Sequence, residues 1–136
     1  MDDNLRRTLI ARAVSARSRA YAPYSNYHVG ASLLGASGAI YDGVNVENAV
    51  YPAGICAERS ALVKAVSDGE RHFEAITVAT QNGGSPCGMC RQMLSEFGLD
   101  LIVLLVDDQG HVVHETTLRS LLPRAFGPED LGMEAV

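Results

Sequence analysis

Residues 3–20 carry the clearest helical period in the chain. Leu5, Leu9, Ala13, Ala16 and Ala20 fall on one face, while Arg6, Arg7, Arg12, Arg17 and Arg19 lie largely elsewhere. The pattern predicts an N-terminal packing helix with a solvated basic face. Pro23 disfavours helix in the residue before it, so the helix ends within Tyr21-Ala-Pro-Tyr-Ser-Asn26. His28–Leu34 and Ile40–Val46 then read as strands, joined into a hairpin by Gly35-Ala-Ser-Gly38. Ala57–Val66 reads as a helix, apolar at Ala57, Ala61, Leu62 and Ala65, with Gly69 as its stop. Ala75–Ala79 is a short strand, Gln81–Pro86 a loop, and Met89–Phe97 a helix ending at Gly98. Leu101–Val106, the longest apolar run, is a buried strand. Asp107–Gly110 turns the chain into a strand over His111–His114. Thr117–Leu122 is a last short helix, stopped at Pro123, and Gly127-Pro128 opens a tail.

A leading hairpin, then strands alternating with helices, predicts an α/β fold. The expected architecture is a three-layer α/β/α arrangement with one mixed five-stranded sheet and helices on both faces. The 136 residues suit one domain, 1–136, with enough chain for a core without disulfides. An apolar fraction of 47% and a charged fraction of 20% are those of an ordinary globular protein. The net charge of −5, with no basic stripe beyond the first helix, argues against nucleic acid and for a small substrate. No segment reaches the ~18 apolar residues of a membrane span, so no membrane partner is expected. The N-terminus lacks the apolar core of a signal peptide. Its arginines would suit a mitochondrial presequence, but Asp2 and Asp3 argue against one, which leaves a cytoplasmic location as the expectation. Three cysteines, an odd count, favour reduced thiols committed to metal or catalysis over disulfides.

Those cysteines carry the chemistry. Cys56 opens one predicted helix, and Cys87 and Cys90 lie one turn apart at the start of another. Helices that follow parallel neighbouring strands start at the same edge of a sheet, so the two starts can converge there. Helix N-termini favour thiolates through their free N–H groups and dipole. Three thiolates around Zn²⁺ leave a formal charge of about −1. That excess blunts the acidification of a bound water. Arg59 is the first candidate to offset it, and Arg91 the second. Three protein ligands with an open fourth position form the catalytic arrangement of zinc. His28, His72, His111 and His114 lack ligand-like spacing to the cysteines. Glu58 stands where a group could take a proton from an activated water and return it to a substrate. Cys56-Ala-Glu58 and Pro86-Cys-Gly-Met-Cys90 match the signature of the zinc deaminases.

At these residues the chain resembles the small homotetrameric cytidine deaminases with a three-cysteine zinc site. Tyr24-Ser-Asn-Tyr-His-Val-Gly-Ala31 resembles that family's Y-S-x-F-P-V-G-A stretch, and Gly43-Val-Asn-Val-Glu-Asn-Ala49 its G-x-N-[IV]-E-N-A segment. Cys56-Ala-Glu-Arg59 and Ser85-Pro-Cys-Gly-Met-Cys-Arg-Gln92 are the two metal motifs, and Leu121-Leu-Pro-Arg-Ala-Phe-Gly-Pro128 resembles the C-terminal L-L-P-x-x-F-G-P. The resemblance covers roughly residues 20–132, in order.

The resemblance implies a cytidine deaminase-like fold and hydrolysis of cytidine and 2′-deoxycytidine to uridine and 2′-deoxyuridine plus ammonia, in pyrimidine salvage. It implies one Zn²⁺ per subunit on Cys56, Cys87 and Cys90, with Glu58 as the proton shuttle. Asn45 and Glu47 would bind the ribose hydroxyls. The Ala57 N–H would meet the pyrimidine O2, and the Ser85 carbonyl the exocyclic amine. Tyr27 would offer an aromatic face to the base. Phe126, on a tail over 123–136, would stack on the base in a neighbouring subunit's site, with Tyr51 facing the same region. The implied assembly is a homotetramer with shared active sites. Two residues depart from the family pattern. Tyr27 replaces its Phe and brings a hydroxyl that needs a partner, and His28 replaces its Pro and reads as structural or solvent-facing.

Other readings fit fewer residues. Asn45, Glu47 and Phe126 favour cytidine over another small base or nucleoside. A structural zinc module needs a fourth ligand and leaves Glu58 without a role. A redox C-x-x-C at Cys87 and Cys90 leaves Cys56 and Glu58 unexplained. The negative charge disfavours editing of a polynucleotide.

Overall fold

The computed structural model describes residues 1–136. The chain forms α1 (Asp3–Ala16), β1 (Gly30–Gly35), β2 (Ile40–Val44), α2 (Ala57–Ser67), β3 (Phe73–Ala79), α3 (Gly88–Ser95), β4 (Ile102–Val106), β5 (Val112–Thr117) and α4 (Leu118–Leu121). The five strands make one mixed sheet in the order β2-β1-β3-β4-β5. β1 pairs antiparallel with β2 and β3, β3 parallel with β4, and β4 antiparallel with β5.

Asp2 caps α1 by accepting a hydrogen bond from the Leu5 N–H at 2.7 Å. The helix buries Leu9, Ala13 and Ala16 completely. It becomes a 3₁₀ turn over Arg17–Arg19, so the helical stretch expected to residue 20 is an α-helix finished by a tighter turn. Alternation along the strands divides the core between two faces. Leu34, Ala75, Ala79 and Val106 meet α1 on one face. Ala31, Leu33, Ile76, Val78, Val103 and Leu105 meet Ala57, Ala61, Leu62, Ala65, Leu94 and Leu118 on the other. This is the three-layer α/β/α arrangement, with α1 alone on its side.

Every residue of β1 is buried. The strand lies inside the sheet with a helix on each face, which is why its sequence alternates only loosely. β5 is the opposite case, an edge strand with Val112, Val113, His114 and Glu115 exposed. It runs to Thr117 and not to His114, because its backbone pairs with β4 as far as Ile102. β3 likewise begins at Phe73, two residues earlier than the apolar run suggests.

One expectation about topology is corrected. β2 and β3, the strands that lead into α2 and α3, are not neighbours; β1 lies between them. Being antiparallel to the same strand, they run in the same direction, and Val44 and Ala79 both face Gly30 in register. The starts of α2 and α3 therefore reach the same sheet edge, by a route other than the parallel pairing expected. Gly43 brings α2 close: a Cβ there would lie 2.4 Å from both the Ala57 carbonyl oxygen and the Ala61 nitrogen. The Ser60 hydroxyl completes the seating by donating to the Val44 carbonyl at 2.8 Å. No helix is long and apolar enough to cross a membrane.

Candidate metal centre and active site

Cys56 and Cys87 are the N-caps of α2 and α3, both in extended backbone conformation. Neither thiol caps its helix by hydrogen bonding, so both are free to point at a common centre. Cys90 sits one turn into α3 and is fully buried. Cys56 Sγ lies 3.9 Å from Cys87 Sγ, and Cys87 Sγ lies 3.4 Å from Cys90 Sγ. All three sulfurs fall within 4.8 Å of one another. Three sulfurs at ~2.3 Å from one zinc ion in a tetrahedron would be about 3.8 Å apart, so the three thiols fit that ion.

The surroundings of Cys56 favour its thiolate. The Cys56 thiol is lowered to about 5, first by a hydrogen bond from Cys90 and then by Arg59. Arg59 Nη2 lies 3.6 Å from Cys56 Sγ. Cys90 is pushed in the opposite direction, upward, as the partner that keeps its proton while Cys56 loses one. Arg91 does not share this task. Its three nitrogens donate to the Pro86 carbonyl at 2.8 Å, the Leu121 carbonyl at 2.7 Å and the Ser85 hydroxyl at 2.8 Å. It ties the loop before Cys87 to the end of α4.

Glu58 lies in the first turn of α2 and is 4% exposed. Its Oε1 is buried and has no hydrogen-bond partner. Burial raises its pKa, and the negative charge of Cys56 adds to the effect. An orphaned carboxylate oxygen inside a protein is costly unless something fills the space beside it. That space is a cavity of about 260 Å³ lined by Cys56, Cys87, Glu58, Asn45, Glu47, Tyr27 and Ser85.

Seven residues expected at the site by resemblance thus share one cavity. Asn45 is committed to the backbone on both ends: its Nδ2 donates to the Tyr27 carbonyl at 2.8 Å and its Oδ1 accepts from the Val29 N–H at 2.9 Å. One lone pair and one proton remain free. Glu47 Oε1 accepts from the Tyr24 and Ser25 N–H groups at 2.9 and 3.1 Å, and Oε2 from the Ser25 hydroxyl. The Ser25 hydroxyl bond is the first cause that lowers its pKa. Ala57, next to Cys56, is buried at the first position of α2.

Two expected residues lie elsewhere. Tyr51 is 75% exposed and stacks edge-to-face on Tyr24 with ring centroids 5.9 Å apart. It lines an adjoining cleft of about 510 Å³ that shares Ser25, Asn45, Glu47 and Cys56 with the cavity. Phe126 is 58% exposed and does not line the cavity of its own chain. Its carbonyl accepts from Gln92 Nε2 at 2.8 Å. Thr80, Gly84, Val29 and Val78 line the cavity without having been singled out by sequence. They belong to strand ends and to the loop after β3, where residue type alone carries no chemical signal. His28 faces Asn26 at 3.3 Å and is partly exposed, as its structural reading implies.

Residues 3–106 match the model of the cytidine and deoxycytidylate deaminase zinc-binding region. The chain belongs to this deaminase family. Similarity extends over nearly all of it. A cytidine deaminase of Sporosarcina psychrophila is 46% identical over 129 residues, covering 93% of this chain and 95% of that protein. The crystal structure of a cytidine deaminase from Burkholderia pseudomallei superposes with a TM-score of 0.84 at 44% identity, covering 93% of this chain and all of that one. That of Mycobacterium tuberculosis gives 0.81 at 35% identity, covering 93% and 99%. The deaminase domain is a zinc-binding one, and Cys56, Cys87 and Cys90 are the group placed to hold the ion.

Proposed function

We propose that this chain hydrolyses cytidine and 2′-deoxycytidine to uridine and 2′-deoxyuridine with release of ammonia. The observation that carries the reading is the buried, unpartnered Glu58 Oε1 in the cavity that Cys56 and Cys87 line. The cytidine deaminases to which the chain is similar support it.

Zinc held by Cys56, Cys87 and Cys90 would supply, at its open position, a water of lowered pKa. Glu58 takes one proton from the water as the water oxygen bonds to C4, and delivers it to N3 of the cytosine ring. It then carries the remaining proton of the new C4 hydroxyl to the 4-amino group, and the C4–N bond breaks to release ammonia and leave the C4 carbonyl. A carboxyl kept neutral more readily by burial suits a group that must accept and return a proton near neutral pH. Arg59 offsets the charge of the three thiolates. The Ala57 N–H holds the pyrimidine O2, and the Ser85 carbonyl accepts from the exocyclic amine. The Tyr27 ring faces the base. Glu47, already fixed by the Tyr24 and Ser25 amides, accepts a ribose hydroxyl, and Asn45 uses its remaining hydrogen-bonding capacity on the same sugar.

Phe126 bears on the assembly. Its ring is exposed and lies outside the cavity of its own chain, which supports a reading in which it closes the cavity of another copy. We read residues 1–136 as one catalytic domain whose 123–136 tail reaches a neighbouring subunit, in a homotetramer with shared sites. Pyrimidine salvage in the cytoplasm is the corresponding role. The direct assay follows cytidine by its ultraviolet absorbance together with ammonia release by the zinc-loaded protein. Loss of cytidine with one ammonia per uridine supports the reading; a stable spectrum over hours at high enzyme concentration rejects it.

A further inference from the structure

Tyr27 stands where the resembled family has Phe, and its hydroxyl has a defined partner. It donates to Asn82 Oδ1 at 2.9 Å. Thr80 donates from Oγ1 to the same oxygen at 3.3 Å and accepts from the Gly84 N–H at 2.7 Å. A chain of three hydrogen bonds thus runs from a ring in the cavity wall, through Asn82 and Thr80, to Gly84, the residue before Ser85. Thr80 is buried, 3% exposed, at the end of β3, which gives the strap a fixed anchor.

Gly84 shows that the fit is mutual. A Cβ there would lie 2.7 Å from Tyr27 Oη, well inside contact distance. Its next neighbours, Asn82 Oδ1 at 3.4 Å and Thr80 Oγ1 at 3.8 Å, would be in ordinary contact. The phenol oxygen is thus the only close obstacle to a methyl group at this position. It ends a planar ring, and moving it away breaks the bond to Asn82.

We propose that the Tyr27 hydroxyl, Asn82, Thr80 and Gly84 form a strap that sets the loop from Gln81 to Pro86 and so places the Ser85 carbonyl against the exocyclic amine of the substrate. Tyr27 then has two roles, a ring that faces the base and a hydroxyl that positions the group reading the amine. Asn82 and Thr80 are positioning residues of this particular chain. The inference rests on the proposed cytidine deamination. Loosening the strap weakens recognition of the amine, which cytidine carries and uridine lacks, and leaves proton transfer by Glu58 intact.

The test is a set of zinc-loaded variants, Tyr27→Phe, Asn82→Ala, Gly84→Ala and the double variants Tyr27→Phe/Asn82→Ala and Tyr27→Phe/Gly84→Ala, measured for KM and kcat with cytidine, Ki of uridine and thermal midpoint. Tyr27→Phe and Asn82→Ala should each raise the KM of cytidine about three- to tenfold, the scale of one hydrogen bond, with kcat and the uridine Ki changed less than about twofold. Their double variant should be no worse than either alone. Gly84→Ala should lower kcat/KM by about tenfold or more and reduce the midpoint in the parent, yet cost less than about twofold in the Tyr27→Phe background. Equal cost of Gly84→Ala in both backgrounds overturns the strap, as does a cytidine KM that moves in step with the uridine Ki. Absence of cytidine turnover by the parent chain rejects the functional reading and the strap's role with it; turnover by the parent with purely additive variants rejects the strap alone.

Discussion

Arg59 Nη2 lies 3.6 Å from Cys56 Sγ, and the same arginine leaves its Nε buried without a partner. The guanidinium is held among the thiols at the cost of an unmet donor, which a purely structural arginine would satisfy elsewhere. Replacing it with Gln removes the charge that offsets three thiolates. Arg59→Gln should weaken zinc affinity or kcat about tenfold, the usual scale for a group beside metal ligands. Competition with a chromogenic chelator and steady-state kinetics report the two quantities. Unchanged values in both would show that the thiolate charge is balanced without it.

Zinc removal should separate chemistry from folding. α2 and α3 are seated by Ala57, Ala61, Leu62, Ala65 and Leu94 in the larger core cluster, independent of the thiols. Chelation should therefore abolish turnover and lower the thermal midpoint, as loss of any native-state ligand does, while far-ultraviolet circular dichroism stays native. Restored zinc should restore activity. Collapse of the spectrum on chelation would show that the ion holds the fold and not only the site.

Glu47 makes a prediction about pH. Its pKa lies below the ordinary value of 4.5, chiefly because the Ser25 hydroxyl donates to it. A depressed carboxylate stabilises the folded state above its unfolded pKa, and that stabilisation is lost as pH falls through the folded value. The thermal midpoint of the parent should exceed that of Glu47→Gln by a constant margin near neutral pH. The margin should close only below about pH 4.5, the unfolded value, as the carboxylate takes up its proton. A margin that closes between pH 7 and 5 would mean that the pKa is raised.

Phe126 allows a complementation test. Phe126→Ala should raise the KM for cytidine, and Glu58→Ala should be inactive. Oligomers containing both chains would hold some sites with an intact Glu58 from one subunit and an intact Phe126 from another. Co-expressed chains should then regain a fraction of activity with the parent's low KM. Recovery with only the high KM of Phe126→Ala would place Phe126 outside the shared site.

Much of this was legible in the residues. The two helix starts at Cys56 and Cys87 follow from apolar period and turn residues, and the signature places Glu58 between them in function. The sheet neighbours were less accessible. β2 and β3 would run in the same direction whether adjacent or separated by an antiparallel β1, so the convergence of the cysteines was correctly expected from an incorrect pairing. Where two candidates shared a residue type, the residues could only rank them: Arg59 came before Arg91, and geometry adds that Arg59 lies beside Cys56 while Arg91 is occupied by three oxygens of the chain. The Tyr27–Asn82 bond spans 55 positions and joins two residues with no common motif. Resemblance could mark Tyr27 as a departure, but only the fold supplies its partner.

The most direct measurement compares Glu58→Gln with the parent in zinc content and cytidine turnover on the same preparations. Gln preserves the shape beside Cys56 and cannot move a proton. One zinc per chain in both proteins, with turnover reduced at least about 10²-fold in Glu58→Gln, is the predicted result. A Glu58→Gln variant that holds its zinc and deaminates cytidine at a rate near the parent's would contradict the account.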